Sequence, residues 1–303
     1  MSIDRSQLQR VIAVINGKGG VQKTTLVANV GGLLAASGYR VLLVDLDPQG
    51  NLAEDLGYTD SDTDDAGQAL AGALAFGYAA APIIDVRERL DVLIGGHHLN
   101  AAAAALTNKA GRDPRGAQLA LAEVLLPIAG DYDLVLIDCP PGNEPLQAAA
   151  AAAARWALVP VKTDHSSRKG LLDVARRLDD VIDVNPDLDL LGVVLVGVGS
   201  SAHKVKQTAR QLIAEALAGE ERILTASVRH SEATAQAARE KGLLVHELDE
   251  QVRASPAWWK IRRGEATSEA AGPRTAGSVA DDLQALSKEI VDRITVAEGA
   301  PTA

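Results

Sequence analysis

Cysteine occurs once in these 303 residues, at Cys139. A disulfide framework and a cysteine-only metal cluster within one chain are therefore excluded. Aromatic residues make up only 3%, with a single phenylalanine, while 47% of the chain is hydrophobic. A core must then be built from Ala, Val, Leu and Ile. No run reaches the roughly 18 apolar residues that a membrane-crossing helix needs. Ala148–Ala154 is short, adjoins Arg155 and reads as a packed helix. Met1–Arg10 is polar and lacks the apolar centre of a secretory signal, so a cytoplasmic location is expected. An excess of basic residues is also missing: the net charge is −10. That argues against a surface that is basic throughout. The charge is uneven, however. Residues 1–199 carry 16 Lys and Arg against 25 Asp and Glu, whereas residues 200–263 carry 11 against 8. A local basic face suffices to bind a phosphate backbone, whatever the overall sign.

What the chain does have is a run of apolar residues leading into a lysine-bearing glycine loop. Val11–Ile15 is apolar and mostly β-branched, as suits a buried parallel strand. Gly17-Lys18-Gly19-Gly20-Val21-Gln22-Lys23-Thr24-Thr25 follows. Leu26, Val27, Val30, Leu33 and Leu34 then recur at helical spacing, up to a glycine, Gly38, placed to end the helix. Strand, glycine loop and helix in this order form a phosphate-binding loop. The glycines let backbone N–H groups turn inward, the helix start adds positive charge, and a lysine and a hydroxyl complete the site. Gly31 and Gly32 lie inside the helix, where each costs about 1 kcal/mol relative to alanine.

Two further strands end in carboxylates. Val41–Val44 runs into Asp45-Leu46-Asp47-Pro48-Gln49-Gly50-Asn51, and Leu134–Ile137 runs into Asp138-Cys139-Pro140-Pro141. The C-terminal edge of a parallel sheet is where open α/β folds bind ligands. Lys23 is placed to neutralise β- and γ-phosphates, Thr24 to ligate Mg²⁺, and Asp138 to hold that ion through a water. In an extended segment Asp45 and Asp47 share one side, from which a carboxylate can orient an attacking water. The competing reading of either residue is a solvated turn carboxylate. Cys139 reads as a small buried apolar residue.

These motifs resemble the ParA/MinD-type ATPases. Gly17–Thr25, with lysines both early and late, is similar to their deviant Walker A motif. Asp45–Asn51 resembles the switch segment in its ParA form, Tyr132–Pro141 resembles the Walker B segment, and Leu158–Val161 the strand that comes next. The similarity covers about residues 10–250, and the aspartate-proline-glutamine form points to the ParA branch. The resemblance implies an α/β P-loop NTPase fold, with a mostly parallel central sheet flanked by helices on both faces. It implies ATP and Mg²⁺ as cofactors, with Gly17, Lys18, Gly19, Gly20, Val21, Gln22, Lys23, Thr24 and Thr25 as the nucleotide-binding loop. Lys18 would reach across an ATP-dependent homodimer to the partner's nucleotide. Lys23 and Thr24 match the phosphate and Mg²⁺ positions, with Asp45 beside the metal. Asp47 matches the carboxylate that positions the hydrolytic water, and Asp138 the Walker B aspartate. Lys18, Lys23 and Asp47 thus form the expected catalytic set, and Thr24, Asp45 and Asp138 the expected Mg²⁺ set.

The chain departs from the pattern in three places. Gln22 stands where the general motif has glycine, and a side chain there changes the loop's conformational freedom. After Val159-Pro160-Val161, where the family usually has glutamine and an acidic run, this chain has Lys162-Thr163-Asp164-His165-Ser166-Ser167-Arg168-Lys169. Ser227-Val228-Arg229 lacks the proline of the late Ile-Pro-Arg signature.

Elsewhere the sequence predicts a surface loop over residues 59–65 and helices over 68–76, 100–106, 117–128, 205–217 and 279–294. Strands are expected over 90–94, 188–198 and 223–228, and Pro114 is expected to break a helix within a loop at Arg112–Arg115. His97 and His98 are adjacent, so their side chains point apart and a shared metal is not expected. The expected organisation is one ATPase domain over residues 1–255, a flexible segment with tryptophans, basic residues, Gly and Pro over 256–278, and a C-terminal helix and tail over 279–303. The acidic residues of that helix argue against a membrane anchor. With ten residues before Val11, a preceding helix-turn-helix domain is not expected. Lys204, Lys206 and Arg210 on a helix, with Arg262 and Arg263 after Trp258-Trp259, are candidate contacts to nonspecific DNA. Each has an ordinary solvated face as its alternative.

The reading is an ATPase for plasmid or chromosome partition, associated with the nucleoid. An ATP-bound dimer would hold DNA by avidity and release it on hydrolysis stimulated by a ParB-like partner. Two alternatives stay open: a positioning ATPase with a protein cargo, and a nucleotide-dependent scaffold with little turnover.

Overall fold

The computed structural model describes residues 3–59, 61–163, 167–199, 203–254, 263 and 272–299, with side chains left out at 167–169 and 203. Eight strands among them form one sheet: β1 (Val11–Val14), β2 (Val41–Asp45), β3 (Ile83–Arg87), β4 (Leu90–Leu93), β5 (Leu134–Asp138), β6 (Trp156–Lys162), β7 (Asp189–Val198) and β8 (Ile223–Arg229). Their order is β3-β4-β2-β5-β1-β6-β7-β8. All pairings are parallel except β3 with β4. β1, β2, β4 and β5 are buried at every residue, as continuous apolar strands covered on both faces must be.

Helices cover both faces. Alternate side chains of each strand enter different cores, because successive residues point to opposite sides. Val11, Ala13 and Ile15 join one core with α3 (Gln68–Phe76), α4 (Leu99–Ala110), α5 (Pro114–Leu125), α6 (Glu144–Ala153), α7 (Ser167–Asp179) and α8 (His203–Leu217). Ile12 and Val14 join the other with α1 (Lys23–Ala36), α2 (Asn51–Leu56), α9 (Glu232–Lys241), α10 (Val245–Ala254) and α11 (Ala276–Gly299). The mostly parallel, doubly covered α/β sheet is the fold class that the motifs imply.

Gly31 and Gly32 make the α1 face thin enough to pack. A Cβ at Gly31 would lie 2.5 Å from Leu43 Cδ2, and one at Gly32 would lie 2.1 Å from Leu244 Cδ1. The helix gives up propensity for close approach to β2 and to the start of α10.

Pro114 corrects an expectation. It does not break a helix within a loop but opens α5, with Asp113 as N-cap accepting from Gly116 N at 2.9 Å. A proline at the first helical position has no N–H to lose, and its fixed φ suits the helix. α2, β3, α7, α9 and α10 lie in segments to which the sequence analysis assigned no element. Most of residues 256–278, with Trp258, Trp259 and Arg262, lies outside the described residues. α11 packs along β8, α10 and α1. Among the described residues no helix is long and apolar enough to cross a membrane.

Candidate nucleotide-binding site

The central strands β1, β2 and β5 end side by side; Asp45 and Asp138 are the last residues of β2 and β5, and the other candidates lie in the segments that follow β1 and β2. Asn16 follows β1 and is 2% exposed. Its Nδ2 donates to the Pro160 carbonyl at 2.8 Å, and its Oδ1 accepts from Lys18 N at 2.9 Å. The entry of the loop is thereby tied to β6. Asn16 is a site residue that the motifs do not single out. The only signal was one amide closing an otherwise apolar strand.

Gly20 has φ +70° and Gln22 has φ 60°, ψ 28°. Gln22 is the residue before α1, and the left-handed conformation it adopts is the reason glycine is usual in such a place. A side chain there costs about 1–2 kcal/mol. The chain accepts that cost and keeps the turn, which delivers the first turn of α1 to the loop. That turn carries no acidic residue, and Gln22 makes no side-chain cap, so the helix start presents uncompensated positive charge.

Lys23 is buried and donates from Nζ to the Lys18 carbonyl at 3.2 Å. Burial pulls its pKa down, against the opposing fields of Asp138, Cys139 and Asp47. Asp45 and Asp138 are register partners across β2 and β5. Asp45 Oδ1 accepts from Asp47 N at 2.9 Å, and Asp47 Oδ1 accepts from Gln49 N at 3.0 Å. Leu46 N still donates to the Asp138 carbonyl at 3.0 Å, so the ladder to β5 runs one residue past Asp45, and each carboxylate closes a side-chain turn onto the N–H two residues on. Both stay buried.

Asp45 Oδ2 and both oxygens of Asp138 are buried without a well-aligned hydrogen-bond partner, although the Thr24 hydroxyl lies near enough to favour the Asp138 anion. Burial pushes the Asp138 carboxyl up to about 7, against the pull of Thr24 and Lys23. Burial, then the neighbouring Asp138, pushes Asp45 well above the usual carboxylate range. Unpaired buried acceptors are costly, and a cation between them would remove the cost. Among the described residues no group of three or more His, Cys, Asp or Glu could hold a metal by itself. The donor set, two carboxylates beside a threonine hydroxyl and an anion-binding loop, suits a hard octahedral ion. Such an ion completes its shell with phosphate oxygens and water.

Further polar links surround the loop. Asp55 on α2 binds Arg239 at 2.9 Å and interacts with Thr25; burial raises its pKa and Arg239 opposes the rise. Arg177 on α7 binds Gln147, whose amide donates to the Pro140 carbonyl. Pattern reading could not pair these, because each pair is joined only by tertiary packing. Cys139 is buried and its thiol is pushed up by burial, so it is unreactive. His97 and His98 do not point apart as expected: both precede α4, His98 on helical backbone, and their rings meet with centroids 4.3 Å apart and planes tilted by 34°.

The candidate DNA residues divide. Lys204 and Arg263 are exposed. Lys206 donates to Ser227 Oγ at 2.7 Å and Arg210 to the Leu224 carbonyl at 2.7 Å, which ties α8 to β8. Arg262 lies outside the described residues.

A family model described as an AAA domain matches residues 9–190. The chromosome partitioning protein ParA of Myxococcus xanthus is 34% identical over 205 residues, covering 67% of this chain and 70% of the relative. The chromosome-partitioning ATPase Soj of Thermus thermophilus is 36% identical over 209 residues, covering 69% and 77%. The chain belongs to the ParA family. The chain is also similar to the solved structure of a cobyrinic acid a,c-diamide synthase from Mycobacterium smegmatis with bound ATP analogue and magnesium. It is 31% identical, with a TM-score of 0.62 over 87% of this chain and 98% of that one. Within the ParA family, the loop Gly17–Thr25 and the carboxylates Asp45, Asp47 and Asp138 occupy one edge of this sheet.

Proposed function

We propose that this ParA-family chain binds ATP with Mg²⁺ and hydrolyses it slowly, as the switch of a DNA partition system. The observation that carries the reading is the facing pair Asp45 and Asp138, unpaired and buried beside a two-lysine loop. Thr24, Asp45 and Asp138 would hold Mg²⁺, which when bound neutralises phosphate charge. Gly17–Thr25 would cradle the phosphates through backbone N–H groups, with Lys23 on the terminal ones. Asp47 would orient the attacking water. Lys18 would serve the nucleotide of a partner subunit and so couple ATP to a sandwich dimer.

A dimer doubles any weak basic patch, and the second contact forms at high effective concentration. The ATP state would then be the DNA-bound state in the cytoplasm, and hydrolysis stimulated by a ParB-like protein would release it. Lys204, Lys206, Arg210, Arg262 and Arg263 are the proposed DNA contacts; of those described, Lys204 and Arg263 are the most accessible. Residues 1–255 would form the ATPase domain, and the C-terminal helix, which begins at Ala276 and not at the expected residue 279, would act as part of the same body.

The test is binding to nonspecific duplex with ATP, ADP and no nucleotide, at two salt concentrations. ATP-dependent, salt-sensitive binding supports the reading. ATP binding without DNA binding in any state would remove the DNA part of it.

A further inference from the structure

The loop sits in a strongly acidic setting. Asp45, Asp47, Asp55 and Asp138 all lie at or beside it, against the ammonium groups of Lys18 and Lys23. A polyphosphate entering such a site gains from each further cation placed near its oxygens. Lys162 lies where that charge would act. It ends β6, the strand next to β1 in the sheet, and it pairs in register with Val196 of β7. A Cβ at Gly197 would lie 3.7 Å from both Cγ and Cε of Lys162, so the lysine stem runs over that glycine. A Cβ at Gly20 would lie 3.9 Å from Lys162 Nζ, so the ammonium stands over the apex of the phosphate loop. Gly20 has φ +70° and carries no side chain to screen that approach. The strand end is itself fixed, because the Pro160 carbonyl, two residues earlier, accepts from Asn16 at the loop entry. Lys162 is also one of the positions at which this chain departs from the usual run after β6.

We propose that Lys162 is a third cationic contact to the bound nucleotide's phosphates, supplied from β6 and acting beside Lys18 and Lys23. The inference rests on the nucleotide-binding reading above and adds to it a residue that the loop motif does not contain. An ammonium whose stem already lies over Gly197 at a half-buried strand end pays less ordering cost on binding, and its contact to phosphate is charge-assisted.

The test compares wild type, Lys162→Gln and Lys162→Arg. Displacement of a fluorescent ATP analogue by ATP is measured, and thermal unfolding is followed without nucleotide. The expected result is that Lys162→Gln weakens ATP binding about tenfold, the loss of one charge-assisted contact. Lys162→Arg should stay within about threefold of wild type, because the charge is kept. Unfolding midpoints of all three should agree. Wild-type affinity in Lys162→Gln would overturn the proposal, and so would equal losses in the Gln and Arg variants, which mark a packing role for the stem. A wild-type protein that binds no ATP would overturn the nucleotide reading itself. Wild-type binding that Lys162→Gln leaves unchanged would overturn only the role of Lys162.

Discussion

Asp45 and Asp138 stand opposite each other at the ends of β2 and β5, both buried and short of hydrogen-bond partners. Two facing carboxylates in a poorly solvated site cannot both ionise cheaply. The nucleotide-free, metal-free protein should therefore be strained at neutral pH. Asp138 is pushed up to about 7 from an ordinary 3.8, so the folded state holds its proton more tightly than the unfolded chain does. The associated stability is fully present below pH 4 and is lost as pH rises through 7. Asp45 is shifted in the same direction. In EDTA, the unfolding midpoint should fall between pH 5.5 and pH 8 on the order of several degrees, and Asp138→Asn should flatten that slope. A midpoint that rises over this range in the wild type would contradict the assignment.

Lys23, Lys18 and Asp47 should separate binding, dimerisation and turnover. Lys23→Ala should abolish ATP binding. Lys18→Ala should keep ATP binding and lose ATP-dependent dimerisation, read by light scattering behind a sizing column. Asp47→Ala should hold ATP as a dimer with turnover reduced by on the order of a hundredfold or more. A Lys18→Ala protein that still dimerises with ATP would end the idea that this lysine serves the partner's nucleotide.

Gln22 occupies a left-handed conformation that disfavours side chains, and most of all β-branched ones. Gln22→Val should lose about 1–2 kcal/mol in urea unfolding, while Gln22→Gly should be at least as stable as wild type. Equal stability of the Val and Gly variants would mean that the loop turns differently.

Gly31 trades helix propensity for contact with Leu43. Gly31→Ala gains about 1 kcal/mol of propensity but inserts a methyl against a buried leucine, at a cost of about 1–3 kcal/mol. The net effect should be a loss, and it should shrink in a Leu43→Val background. A double-mutant cycle measures that coupling.

Lys204 and Arg210 share α8 but should behave differently. Lys204→Ala should weaken DNA binding and lower its salt dependence, with little change in stability. Arg210→Ala should cost about 1 kcal/mol of stability, since the Leu224 carbonyl loses its donor. If both variants changed only DNA binding, the tie between α8 and β8 would matter less than its geometry implies.

The local code of this chain is strong where short-range physics decides. The apolar runs Val11–Ile15, Val41–Val44 and Leu134–Ile137 suit buried strands, and they form β1, β2 and β5. The spacing of Gly17, Gly20, Lys23 and Thr24 can be read as a phosphate loop without knowing what surrounds it. Chain order alone also placed Asp45 and Asp138 at strand ends. Where a single residue had two local meanings, the reading failed. Pro114 looked like a breaker and is a helix start. Tertiary structure decided everything that depends on distant partners. It set β2 against β5 so that two carboxylates meet, and it pinned Asn16 to Pro160. It turned Lys206 and Arg210 back onto β8 and brought Lys162 over Gly20. Sequence separation hides such contacts, because they arise from strand order and the burial of two helical layers, and neither is encoded in any one segment.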